Sequence, residues 1–220
     1  MERLRISKVL EMAPSSNKIT ICGWVRTFRN DRFLAVNDGS TIHNIQLVVQ
    51  REDLKESVLK QLNTGAAIRA VGVLVESQGG GQSVEIQVEE LEILGGADPD
   101  EFPIQMKKHS LEFLREKAHL RFRTNTFSAI FRIRHLLQFA VHKFFHDQGF
   151  YQLHTPIITG SDAEGAGEMF KVTTLDLESL PKLEDGGTDF SQDFFGKPSN
   201  LTVSGQLEAE LAAMALGQVY

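Results

Sequence analysis

Three groups of residues in this 220-residue chain carry side chains whose types and spacing suit chemistry. The first is Arg26, Arg29, Phe33 and Gln46. An aromatic ring exposed on a strand gives an unpaired base a stacking platform worth about 1–3 kcal/mol. A glutamine beside it has both a donor and an acceptor for the Watson–Crick edge of uracil, and nearby arginines hold phosphate. Spacing alone fits a plainer reading better, with Phe33 in a core and Gln46 facing water. The second group is the loop Ser161-Asp162-Ala163-Glu164-Gly165-Ala166-Gly167-Glu168-Met169-Phe170. Its carboxylates suit the α-ammonium of an amino acid, and its glycines let the backbone approach a ligand. A solvated acidic loop has the same composition. The third is Val203-Ser204-Gly205-Gln206-Leu207-Glu208-Ala209-Glu210, where Glu210 can accept the N–H donors of a side-chain amide or simply sit on a helix surface.

The elements that must position these groups fall into two regions. Residues 1–100 read as short strands: Ile19 to Val25, Phe33 to Val36, Ile45 to Val49, Ala67 to Val75, and Val84 to Leu94. Gly23 marks a bulge or sharp bend, and Asn37-Asp38-Gly39-Ser40 a turn. Glu52 to Leu62 has Leu54, Val58 and Leu62 at helical spacing. Five strands with a helix between the third and fourth is the layout of an OB-fold barrel. Gly95 to Asp100 is a composition break, and residues 101–123 read as a hinge with a short helix from Ser110 to Ala118.

Residues 124–220 form the second domain. A helix from Asn125 to Gln148, capped by Thr124 or Asn125, carries Phe127, Ile130, Phe131, Leu137, Val141 and Phe144 at the helical period. So much apolar surface suits a helix buried on more than one side, at a subunit interface or in a core. Gly149 stops it, Phe150 to Leu153 begin a strand, and Pro156 falls where a strand can spare an N–H. Leu201 to Val203 is a short strand, and Ser204 caps a helix that ends at Gly217.

Hydrophobic content of 41% and charged content of 24% are those of a globular protein. No apolar run approaches the roughly 18–20 residues of a membrane span, and no signal-peptide core is present. The lone Cys22 permits no internal disulfide, which places the chain by default in a reducing cytoplasm. A net charge of −6 argues against general nucleic-acid binding, but the charge is uneven. Residues 1–50 hold seven Lys/Arg against four Asp/Glu, and residues 107–134 hold eight against two. Such segments suit a phosphate backbone as well as ordinary solvated faces.

The long helix, Gly149 and the following strand with Pro156 resemble motif 1 of the class II aminoacyl-tRNA synthetases. Gly23-Trp24-Val25-Arg26, Phe33, Asn37-Asp38-Gly39 and Gln46 resemble the anticodon-binding barrel of class IIb, the enzymes for Asp, Asn and Lys. The resemblance implies that Phe33 and Gln46 hold the central anticodon base, a uridine, with further tRNA contacts from Arg26 and Arg29. It implies that Glu164 binds the α-amino group of the amino acid, with Ser204, Gln206 and Glu210 completing the pocket. In the aspartyl enzymes the place matching Ala209 is a lysine that neutralises the substrate carboxylate. Alanine there leaves a buried carboxylate unpaired, at a cost of several kcal/mol. A neutral carboxamide fits, and the polar insertion ending at Asp189 to Pro198 also resembles the asparaginyl enzymes of bacteria.

The implied fold is α+β, an all-β OB-fold barrel followed by the beginning of a class II antiparallel catalytic domain. The implied partners are tRNA-Asn, asparagine and ATP, with Mg2+, and a second subunit meeting this one around Pro156. No metal ligands are expected within the chain. The ATP-gripping motifs would lie beyond Tyr220, so the chain is expected to be an N-terminal portion, inactive alone. A non-catalytic tRNA-binding module is the competing expectation.

Overall fold

The computed structural model describes residues 2–163 and 168–220, and they form two compact units, residues 1–135 and 136–220. Five strands build the first: β1 (Ser15–Arg29), β2 (Phe33–Asn37), β3 (Ile45–Val48), β4 (Ala67–Glu76) and β5 (Val84–Gly95). They close in the order β1-β2-β3-β5-β4, with the β3–β5 pair parallel and the others antiparallel. Alternation explains the closure. Ile21, Val25, Leu34, Val36, Ile45, Leu47, Ile68 and Ile86 all point inward and are buried in one core. That is the expected OB-type barrel, with β1 longer at both ends than its apolar run indicated.

Two local expectations need correction, and one element was not expected. The expected helix over Glu52 to Leu62 is broken into a 3-10 turn at Arg51–Asp53 and a single helical turn at Glu56–Leu59. Leu54 and Lys55 adopt extended backbone between them, yet Leu54, Val58 and Leu62 still pack on the barrel core. The bulge in β1 lies at Arg26, between Val25 and Thr27, not at Gly23. Gly23 serves a close crossing instead: a Cβ there would sit 2.7 Å from both the Asn37 carbonyl oxygen and Val36 Cγ1. A turn of helix at Ile6–Val9 has no counterpart in the sequence reading. Its two apolar side chains are too few to register as a period, but both are buried against the barrel.

The helices are thus α1 (Ile6–Val9), α2 (Glu56–Leu59), α3 (Leu111–Glu116), α4 (Asn125–Asp147) and α5 (Gln206–Leu216). After the barrel, Ser110 Oγ caps α3 by accepting from the Phe113 N–H at 3.2 Å. Ile104, Leu114 and Phe127 form a small second core. The Thr124 hydroxyl accepts from the Phe127 N–H at 3.3 Å, capping α4.

In the second unit, Gly149 ends α4 at φ 83°. The strand expected from Phe150 is reduced to a bridge at Tyr151, whose N–H donates to the Gln218 carbonyl at 2.9 Å. Leu153 makes the equivalent bond to Tyr220, whose ring stacks on Phe145 at 4.4 Å. A three-stranded antiparallel sheet follows, β6 (Ile158–Thr159), β7 (Lys171–Val172) and β8 (Ser199–Leu201), in the order β6-β8-β7. β8 thus begins two residues before the expected Leu201. Of the two settings expected for α4, burial in a core of this chain is not found. Phe127 is its one buried residue, while Leu136, Leu137, Phe139, Val141 and Phe144 are exposed.

Candidate nucleic-acid interface and amino-acid pocket

The register of β1, β2 and β3 decides which barrel residues meet. Arg29 pairs with Phe33, Phe33 pairs with Val48, and Ala35 pairs with Gln46. Leu34 and Leu47 lie between these on the inner face and are fully buried. Arg29, Phe33 and Gln46 therefore share the outer face, Phe33 and Gln46 as diagonal neighbours at about 7–8 Å. The burial pattern of β2 keeps Phe33 out of the core, so the plainer reading of that residue is overturned. Gln46 is half-buried and bonded rather than solvated, its Nε2 donating to Glu85 Oε2 at 2.9 Å.

The hairpin joining β1 to β2 brings one further cation. Asn30 and Asp31 adopt positive φ of 53° and 49°, a conformation these two residue types tolerate better than most. The turn carries Arg32 back over the Phe33 ring, its guanidinium carbon 5.5 Å from the centroid. Arg32 was not among the expected site residues. Its proximity to Arg29 in sequence was the available signal.

Arg26 is not brought to this group. As the bulge residue it turns toward the chain that follows the barrel, donating to the Arg123 carbonyl and, at 3.4 Å, to Asn125 Oδ1. It lines a cavity of about 430 Å3 with Trp24, Phe122, Arg123, Phe131 and Arg132. Burial lowers the pKa of Arg26 and of Arg123. The Arg123 guanidinium lies 4.4 Å from the Trp24 ring centroid.

In the second unit, the N-cap of α5 is Gly205, with no side-chain cap, and not the expected Ser204, whose Oγ accepts from the Gln206 N–H at 3.1 Å in the turn just before the helix. One turn on, Gln206 Nε2 donates to Glu210 Oε1 at 2.7 Å. The pair leaves Gln206 Oε1 and the second Glu210 oxygen as acceptors, which suits N–H donors and disfavours an anion. Ala209, on the same side of α5, adds no cation. Thr155 packs tightly on Gly205: a Cβ there would lie 2.5 Å from Thr155 Oγ1. Pro156 follows, exposed and outside any strand. Glu164 lies outside the described residues, so its expected place beside Gln206 has no geometry here. Among the described residues, no group of three or more His, Cys, Asp or Glu side chains could hold a metal ion.

The insertion before β8 is organised by carboxylates, not by an apolar core. Asp193 Oδ1 accepts from the Thr174 N–H, the Thr174 hydroxyl and the Phe194 N–H, each at 2.8 Å. The Thr173 hydroxyl and these donors hold its carboxyl well below the usual carboxylate range.

Two family models match the chain. One, described as an OB-fold nucleic acid binding domain, covers residues 19–94. The other, tRNA synthetases class II (D, K and N), covers residues 110–220, half of the chain. The chain belongs to the class II tRNA synthetases of the D, K and N group. Among curated synthetases of this group it is similar to the asparagine–tRNA ligases of Cytophaga hutchinsonii and Parabacteroides distasonis, at 56% identity each, and of Nostoc sp., at 51%. All of this chain aligns with 48% of each relative, so it spans about half of their length. Among solved synthetases, its fold resembles the asparaginyl-tRNA synthetase of Pyrococcus horikoshii complexed with asparaginyl-adenylate. The TM-score is 0.76 at 23% identity, over 100% of this chain and 46% of that one. The aspartyl-type synthetase of Leishmania major gives 0.70 at 16% identity, over 97% and 41%.

Proposed function

We propose that this chain supplies the anticodon-binding barrel and part of the amino-acid pocket of an asparagine–tRNA ligase. The whole protein would activate asparagine with ATP and pass it to tRNA-Asn. The observation that carries the reading is the convergence of Arg29, Phe33 and Gln46 on one outer face of a five-stranded barrel. The identity of 51–56% to asparagine–tRNA ligases supports the choice of amino acid.

In this reading the central anticodon base leaves its stack and lies on Phe33. Gln46 reads its edge, and Arg29 and Arg32 neutralise the adjoining phosphates. The side-chain amide of asparagine donates to the acceptors of Gln206 and Glu210, which would repel the carboxylate of aspartate. Glu164 takes the α-ammonium group on the strength of family resemblance. ATP and Mg2+ would serve the whole protein. A cytoplasmic location fits that role, and no helix of the described residues is long and apolar enough to cross a membrane.

The exposed apolar residues of α4, with Pro156 nearby in sequence, support a homodimer in the whole protein. Binding of a labelled tRNA-Asn anticodon stem-loop to this chain tests the main reading. Affinity should exceed that for a stem-loop with a different central base, and equal affinity for the two would refute it.

A further inference from the structure

Where the chain leaves the barrel, the cavity of about 430 Å3 is walled by the rings of Trp24, Phe102, Phe122 and Phe131 and by three arginines, Arg26, Arg123 and Arg132. Its size is that of a small-ligand pocket. All of its lining belongs to the first unit, and none of it is Asp or Glu. No ion pair among the described residues includes any of the three arginines. Asp98 and Glu101 border a neighbouring hollow that Arg123 also lines, but neither comes within ion-pair distance of it.

The arginines differ in what they can still donate. Arg26 donates to the Arg123 carbonyl and, at 3.4 Å, to Asn125 Oδ1, and Arg132 donates to the Gly39 carbonyl at 2.5 Å. The Arg123 side chain donates to nothing among the described residues, and its guanidinium instead lies 4.4 Å from the Trp24 ring centroid. That contact fixes the guanidinium and leaves its N–H fork open to two oxygens of one anion. Burial depresses the pKa of Arg26 and Arg123 with no opposing cause, as expected of cations without a counter-charge.

The neutral polar groups of the lining are already engaged by the fold. The Thr64 hydroxyl donates to the Arg26 carbonyl at 3.3 Å, and Ser128 Oγ accepts from Arg132 Nε at 3.4 Å. The Asn37 amide donates to the Thr41 and His43 carbonyls at 3.1 and 2.9 Å. Little remains to bond the polar edge of a nucleobase, whereas a carbon ring needs only the aromatic walls.

We propose that this cavity is a binding site for a small aromatic carboxylate, its ring packed among Trp24, Phe122 and Phe131 and its oxygens on the Arg123 fork. The site is separate from the anticodon face, because Arg29, Phe33 and Gln46 do not line it.

Naphthoate and its neutral counterpart naphthamide test this on the 220-residue chain. Calorimetry gives the affinities, and the indole N–H resonance of Trp24, the single tryptophan, reports where the ring sits. Naphthoate should shift that resonance and bind at least about tenfold more tightly than naphthamide, the equivalent of a charge-assisted hydrogen bond. Arg123→Gln should weaken naphthoate about tenfold and leave naphthamide within about twofold. Ser128→Phe keeps Arg123 but fills the cavity from α4, and should weaken both ligands. Adenosine monophosphate, an anion whose ring has a polar edge, should bind about tenfold more weakly than naphthoate.

Absence of naphthoate binding, or equal affinity for acid and amide, overturns the proposal. So does a folded Arg123→Gln that keeps the wild-type preference, and so does tighter binding of adenosine monophosphate. Should Arg123→Gln fail to fold, Ser128→Phe decides: naphthoate binding that survives it, or that leaves the Trp24 resonance unmoved in the wild type, places the ligand elsewhere and overturns the site.

Discussion

Phe33 and Leu34 are adjacent in sequence and should behave as opposites. Leu34 is 0% exposed within the barrel core, whereas Phe33 is half-buried on the outer face beside Arg29 and Arg32. Leu34→Ala removes buried methyl groups and leaves a cavity, which costs about 2–5 kcal/mol. That is a large share of the roughly 5–15 kcal/mol that stabilises a domain. Phe33→Ala removes no core contact, so its stability cost should stay below about 1 kcal/mol. Binding should reverse the order. Loss of a stacked base costs about 1–3 kcal/mol, which is roughly 5- to 150-fold in Kd for the stem-loop. Leu34→Ala, measured where it is still folded, should bind within about twofold of the wild type.

Urea unfolding followed by Trp24, the single tryptophan of the chain, gives the first quantity, and stem-loop anisotropy the second. Equal loss of stability in both variants would refute the placement of Phe33 outside the core. Unchanged affinity in Phe33→Ala would refute its role as a platform.

Further expectations concern other elements. Gly23→Ala should destabilise the barrel by about 1–3 kcal/mol, because the new Cβ meets a backbone carbonyl that cannot step aside. Gly80→Ala, with nothing within 4 Å, is the control, and equal unfolding midpoints for the two would refute the close crossing. Asp193 has a folded pKa below its unfolded one, so its contribution to folding is present above about pH 4 and is lost only as pH falls through the depressed value. A carbon-13 titration of its carboxyl should show it still ionised where exposed aspartates have protonated, and an ordinary midpoint near 4 would contradict the bonding described. Ala209→Lys places a cation beside the Gln206–Glu210 pair. In a protein of the relatives' full length it should lower the preference for asparagine over aspartate in ATP–pyrophosphate exchange, and an unchanged ratio would count against the pocket.

Much of the architecture was readable one element at a time. The five barrel strands, the hinge helix, α4, its stop at Gly149 and α5 all follow from local periodicity and punctuation. Local rules suffice there because alternation, caps and breakers act over a few residues. The same rules failed at residues 52–62, where packing on the barrel was satisfied without a continuous helix. They also failed at α1, where two buried side chains make too short a pattern to detect. In α4 the apolar period was correct, but period says nothing about what covers the face.

The types of the interface residues were set by the sequence itself: Arg29, Phe33 and Gln46 carry the right groups wherever the chain puts them. Their meeting on one face was decided by strand register, since a shift of one residue would have sent Phe33 inward and Leu34 out. Register likewise drew Arg26 away, through a single bulge. The Gln46–Glu85 contact lies furthest from sequence reasoning. It joins residues 39 positions apart through a parallel pairing that exists only once the barrel has closed.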